Sequence, residues 1–113
     1  MKMKKTEIEE ITERLLKFRD KRNWEQFHNS KDLALALSIE AAELNELFLW
    51  KGAEDVNVEK LKEELADIFI YAFLLSKKHN LNVRSIVVDK IRVNNEKYPT
   101  EKSKNTSKKY HDL

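Results

Sequence analysis

The chain has 113 residues, of which 37% are charged, with 22 basic against 20 acidic side chains and a formal net charge of +2. That length limits it to one domain with a modest core, and the near balance of charge argues against a dedicated nucleic-acid binder. No cysteine is present, which excludes disulfides and thiol chemistry.

One glycine (Gly52) and one proline (Pro99) leave almost no turn chemistry for hairpins, and the apolar residues recur with a period near 3.6, so an all-α fold of four helices is expected. Thr6 followed by Glu9 forms a capping-box pattern that opens a first helix reaching to about Arg22. Asn29 or Ser30 caps a second helix to about Lys51, and "KGAEDVN" breaks the chain into halves. Asn57 caps a third helix that ends near His79. Asn82 caps a fourth that stops before Pro99, because the residue preceding proline disfavours helical backbone. Residues 1–99 thus form the helical domain, and residues 100–113 a polar, Lys-rich tail expected to be mobile in the free protein. No apolar run approaches a membrane span and the start is not leader-like, so a cytoplasmic protein without a membrane partner is expected. With 41% hydrophobic residues the core is thin for a monomer, and helices sharing faces with other copies are expected.

Two helices carry acids where their cores should be. On the second, the apolar stripe of Leu33, Leu37, Leu44 and Leu47 runs over Glu40 and Glu43. On the third, Glu64 and Asp67 project into the sector of Leu61, Ile68, Tyr71 and Leu75, while Glu63 falls at its edge. Residues three apart are neighbours on a helix surface, so each pair can grip one cation, and two such helices face to face converge four carboxylates. Uncompensated, such a group is costly to bury. Lys60 and Lys78 are the only basic residues near the margins of these faces. Oxygen-only ligands without suitably spaced His favour Mg²⁺, or Mn²⁺, over Zn²⁺, and Mg²⁺ commonly shares its sphere with phosphates. The alternatives are interhelical salt bridges to Lys or Arg, or wider polar faces; a di-iron bundle lacks its Glu-x-x-His pairs.

A single glycine cannot build a Walker-type loop, so cations and long basic side chains must hold any polyphosphate. On the fourth helix Lys90 and Asn94 interrupt the face of Val83, Ile86 and Val87, as phosphate and sugar contacts or as a snorkelling lysine and a core asparagine.

The spacing Glu40-x-x-Glu43, twenty residues, Glu64-x-x-Asp67 resembles the acidic signature of the MazG-like all-α nucleoside triphosphate pyrophosphohydrolases. "NWEQFH" at 23–28, "ELFLWK" at 46–51, "EELADIFIY" at 63–71, "KIRVNNEKYP" at 90–99 and the closing "SKKYHDL" resemble the dCTP pyrophosphatase branch of that family. The resemblance implies metal-dependent hydrolysis of a (deoxy)nucleoside triphosphate to monophosphate and pyrophosphate, in nucleotide-pool house-cleaning. It also implies Glu40, Glu43, Glu64 and Asp67 as catalytic ligands of Mg²⁺. A water held by the cation or oriented by a glutamate would attack the α-phosphorus. Trp24, Glu25, Gln26, Phe27, His28, Trp50 and Tyr71 match the family's nucleotide pocket: aromatic faces stack a base while Gln26 and His28 read its edge. The alternative reading of Trp24, Phe27 and Trp50 is as plain core aromatics. Lys90 and Asn94 match the family's later Lys and Asn. Leu15 stands where relatives usually place a polar residue, which widens the expected substrate from dCTP toward dATP or modified dNTPs. The implied assembly is a homotetramer, a dimer of dimers with shared pockets. A non-catalytic nucleotide sensor and a helical interaction module remain the alternatives.

Overall fold

The computed structural model describes residues 4–113, and every element in them is helical: α1 (Glu7–Lys21), α2 (Ser30–Glu46), α3 (Val58–Lys78), α4 (Val83–Lys97) and the single turn α5 (Thr100–Ser103). Short 3₁₀ turns occupy Glu25–Phe27 and Tyr110–Asp112. Among the described residues, no helix is long and apolar enough to cross a membrane.

The helix starts follow the capping chemistry. Thr6 accepts from the Glu9 N–H, Asn29 from Asp32, Asn57 from both Glu59 and Lys60, and Asn82 from Ser85. Each satisfies a backbone donor that the first helical turn leaves without a partner. The exits of α1 and α3 share a design absent from the expectations. Asn23 and Asn80 take left-handed backbone at φ 53° and 54°, and Trp24 and Leu81 donate back to Arg19 and Ser76 at 3.1 and 2.9 Å. This six-to-one bond closes the last turn, and asparagine tolerates the conformation it needs.

The second helix ends earlier than its composition suggests. Instead of reaching Lys51, α2 stops at Glu46, and the chain tightens through three-residue bonds from Leu47 to Leu44, Phe48 to Asn45 and Leu49 to Glu46. Trp50 then turns left-handed at φ 63°, which no continuing α-helix accommodates.

The chain divides into two compact units, one ending at Leu81 and one spanning Asn82–Leu113. In the first, α2 and α3 pack along their lengths and α1 rests on α3. The hairpin is antiparallel: Ser30 Oγ at the start of α2 lies 2.8 Å from His79 Nε2 at the end of α3. Leu33 and Leu74, 2% and 5% exposed, form its core at that end. In the second unit, the Tyr110 ring meets Tyr98 edge-on at 6.2 Å and lies under the Lys97 ammonium at 5.0 Å. Those contacts tie the polar C-terminal stretch to the end of α4, an anchor that its composition did not reveal.

Candidate metal centre

The antiparallel pairing sets the middle of α2 against the first half of α3, and there three of the four singled-out acids converge. One carboxylate oxygen from each of Glu40, Glu43 and Glu64 lies within 4.8 Å of the others. Glu40 and Glu64 are half-buried and Glu43 is exposed. Oε2 of Glu40 and Oε2 of Glu64 are shut away from solvent with no hydrogen-bond partner. Asp67, one turn further along α3, stands outside this triad but close enough for its charge to act on Glu40 and Glu64.

The electrostatics match that geometry. Burial, then the Glu43 carboxyl, then Glu64 and Asp67 push the Glu40 carboxyl up to about 7. Burial raises Glu64 as well, with Glu43 and Asp67 adding to the rise and its contact with Glu40 opposing it. Tyr71, half-buried on α3 four residues beyond Asp67, is raised by burial and then by the negative charges of Glu40, Asp67 and Glu43. Crowded carboxylates disfavour ionisation in this way when no positive charge answers them. Among the described residues, none of the ion pairs includes Glu40, Glu43, Glu64 or Asp67. The interhelical salt bridges that could have explained the acids are therefore absent from the described chain. A hard divalent cation fits what is present: an all-oxygen donor set with two orphaned, buried oxygens.

The other singled-out residues lie elsewhere. Trp24–His28 connects α1 to α2 at the far end of the hairpin, separated from Glu40 by a helical rise of about 17 Å. Trp24 meets Phe18 edge-on at 5.7 Å, Glu25 lies 3.6 Å from Arg19, and Gln26 donates to the Asn23 carbonyl. Phe27 is exposed, while His28 is half-buried with Nδ1 lacking a partner. Burial first, then the charges of Arg19 and Lys78, lower the His28 pKa and favour neutral imidazole. Trp50 follows the opposite end of α2 and is 94% exposed. Lys90 and Asn94 are exposed residues of α4, in the second unit. One chain thus assembles the acids and Tyr71, and does not gather the aromatic residues around them.

Sequence reasoning passed over a cleft of about 490 Å³ beside the cluster, lined by Glu43, Glu46, Leu47, Lys60, Glu63 and Glu64. Its signal was available, since Glu46 extends the three-residue spacing from Glu40 and Glu43, and Glu63 and Lys60 flank Glu64 at its edge.

Comparisons with known proteins identify the family. The model of the MazG-like family matches residues 35–113. The chain is 34% identical over 114 residues to dCTP pyrophosphatase 1 of Mus musculus, covering 94% of this chain and 67% of that protein. The Bos taurus protein of the same name is 36% identical, with 94% and 68% covered. A crystal structure of a pyrophosphatase from Archaeoglobus fulgidus superposes with a TM-score of 0.77 at 35% identity, covering 88% of this chain and 98% of that one.

Proposed function

Because this chain belongs to the MazG-like family, we propose that it is a divalent-metal-dependent nucleotide pyrophosphohydrolase whose preferred substrate is a deoxynucleoside triphosphate, dCTP first among them. The observation that carries the metal is the triad of Glu40, Glu43 and Glu64, crowded within 4.8 Å, unanswered by any basic partner among the described residues and holding two orphaned oxygens. When bound, Mg²⁺, or Mn²⁺ in its place, supplies Lewis-acid stabilisation of the charge that grows on the phosphate oxygens.

The chain's own groups do the rest. Glu40, Glu43 and Glu64 would hold the cation, and Asp67 would complete the set from the next turn. One of the glutamates orients a water toward the α-phosphorus. The water oxygen bonds to phosphorus and gives up a proton to the orienting glutamate, the bond from the α-phosphorus to the bridging oxygen breaks, and pyrophosphate departs with that oxygen. Tyr71 lies at the edge of the cluster, where its ring meets the nucleoside. Lys90 and Asn94 enter this reading through the family resemblance as phosphate and sugar contacts.

Base recognition belongs to Trp24, Glu25, Gln26, Phe27, His28 and Trp50. Their separation from the acids along the hairpin supports a pocket completed by a second copy of the chain, in a homotetramer arranged as a dimer of dimers. The exposure of Phe27 at 62% and Trp50 at 94% supports the same assembly. Leu15, half-buried on α1, leaves the base edge without a polar reader there and extends acceptance toward dATP or modified dNTPs.

The deciding experiment incubates the purified protein with a panel of dNTPs and NTPs, in Mg²⁺ or in EDTA, and resolves the products by ion exchange. Monophosphate with intact pyrophosphate, lost in EDTA, is the expected result and ranks the bases at once. Binding of dCTP by calorimetry without turnover of any nucleotide would make the protein a sensor instead.

A further inference from the structure

The cleft beside the acid triad contains one basic group, and its chemistry points to a specific part of the substrate. Glu43 and Glu64, both members of the triad, form one wall of the cleft, and Lys60 stands in its lining with Glu46 and Glu63. Lys60 occupies the first turn of α3, where the Asn57 cap fixes its backbone N–H at 3.2 Å. From there Glu63 and Glu64 are its neighbours three and four residues on, the spacing at which helical ion pairs form. Lys60 nevertheless takes part in none of the ion pairs among the described residues, whereas Lys62, two residues on, closes on Glu59 at 3.2 Å. Lys60 is therefore without an ion-pair partner among the described residues, in the lining of a cleft whose other charged residues are four glutamates.

We infer that Lys60 is a substrate-binding residue that receives the β- and γ-phosphates of the nucleotide, and hence the pyrophosphate that leaves. The assignment rests on the pyrophosphohydrolase reading, which puts the α-phosphorus at the triad. A cleft that begins at the triad and is lined by no aromatic side chain offers a nucleobase nothing to stack on. Four carboxylates repel a polyphosphate, and among the side chains lining this wall only the Lys60 ammonium attracts one. A lysine suits the role as a mobile point charge with three donors, able to follow the phosphates as the bridging bond breaks.

The test is the Lys60→Ala variant, with Lys60→Arg as the conservative control; the side chain is exposed, so the helical circular dichroism signal should not change. For Lys60→Ala we expect KM for the triphosphate to rise about tenfold with kcat nearly unchanged, as for loss of one charge-assisted contact. Inhibition by pyrophosphate should weaken by a similar factor, inhibition by the monophosphate should not move, and Lys60→Arg should restore most of the loss. Calorimetric titration of pyrophosphate in Mg²⁺ gives the same comparison without turnover. An active wild type whose KM and pyrophosphate affinity survive Lys60→Ala would overturn the assignment and leave the pyrophosphohydrolase reading standing. A wild type that hydrolyses no nucleotide would overturn that reading, while the pyrophosphate titration still decides Lys60. Tighter Mg²⁺ binding in the alanine variant, with pyrophosphate affinity unchanged, would make Lys60 a counter-charge to the acids and overturn the assignment as well.

Discussion

Glu40 faces Glu43 and Glu64 and keeps one buried oxygen without a hydrogen-bond partner among the described residues, and its carboxyl is raised to about 7 by burial and then by those neighbours. Between the ordinary carboxylate range and that value, the folded chain keeps a proton that the unfolded chain has already released. Metal-free stability must therefore fall as pH rises through this window. Ligation requires the ionised acid, so Mg²⁺ should bind more tightly over the same interval. Thermal unfolding in EDTA is expected at a higher temperature near pH 5 than near pH 8, and the stabilisation by added Mg²⁺ is expected to be larger at the higher pH. Equal midpoints in EDTA would mean that the cluster is not crowded in solution. Single truncations probe the same residues differently: Glu43→Ala or Asp67→Ala should lower turnover by more than about 100-fold, since even outer-shell partners of a metal cost 10–100-fold. The helical circular dichroism signal should survive, because each truncation also removes a repelling charge. Loss of the fold in either variant would speak for a structural role instead.

At the scale of the elements, what the sequence made legible was what is local. Asn29, Asn57 and Asn82 mark helix starts because a cap is a short-range hydrogen bond written within three residues. The pairing of Glu40 with Glu43 was readable for the same reason, since helical spacing alone puts both on one face, whereas the approach of Glu64 comes from the packing of α2 on α3. The end of α2 was not readable. "LFLWK" contains good helix formers and no glycine or proline, and what stops the helix is the left-handed turn at Trp50, which no local preference of tryptophan predicts. The distance of Trp24–His28 from the acids was set by the length of α2, since that segment precedes the helix and its first turns separate it from Glu40. The caps themselves are open to measurement. Asn57→Ala removes the acceptor for two backbone donors, of Glu59 and Lys60, and should cost about 1 kcal/mol in urea-induced unfolding. A cost near zero would mean that water replaces the cap at that exposed helix start.

For the molecule as a whole, the described residues leave large apolar side chains in solvent on every long helix: Ile11 and Phe18 on α1, Leu35 and Ile39 on α2, Leu65 and Phe69 on α3, Ile86 and Ile91 on α4. Among the described residues, the buried apolar side chains are confined to Leu33 and Leu74. Exposure on this scale is characteristic of surfaces that meet other chains. Sedimentation equilibrium at micromolar concentration is expected to give an oligomer, with the tetramer as the predicted species. A well-behaved monomer would count heavily against a pocket shared between copies.

The acids from Glu40 to Asp67 all belong to one helical hairpin, α2 and α3 joined by a single loop. Contacts so near in sequence form early, on the microsecond-to-millisecond scale, whereas association of subunits is slower and depends on concentration. The hairpin thus has to close over its repelling carboxylates before any neighbouring copy arrives, and a divalent cation present at that moment acts on the folding barrier itself. Refolding from urea should be faster in Mg²⁺ than in EDTA, measured by stopped-flow fluorescence. A cation effect confined to the unfolding rate would place capture of the ion after the rate-limiting step, when the two helices are already paired.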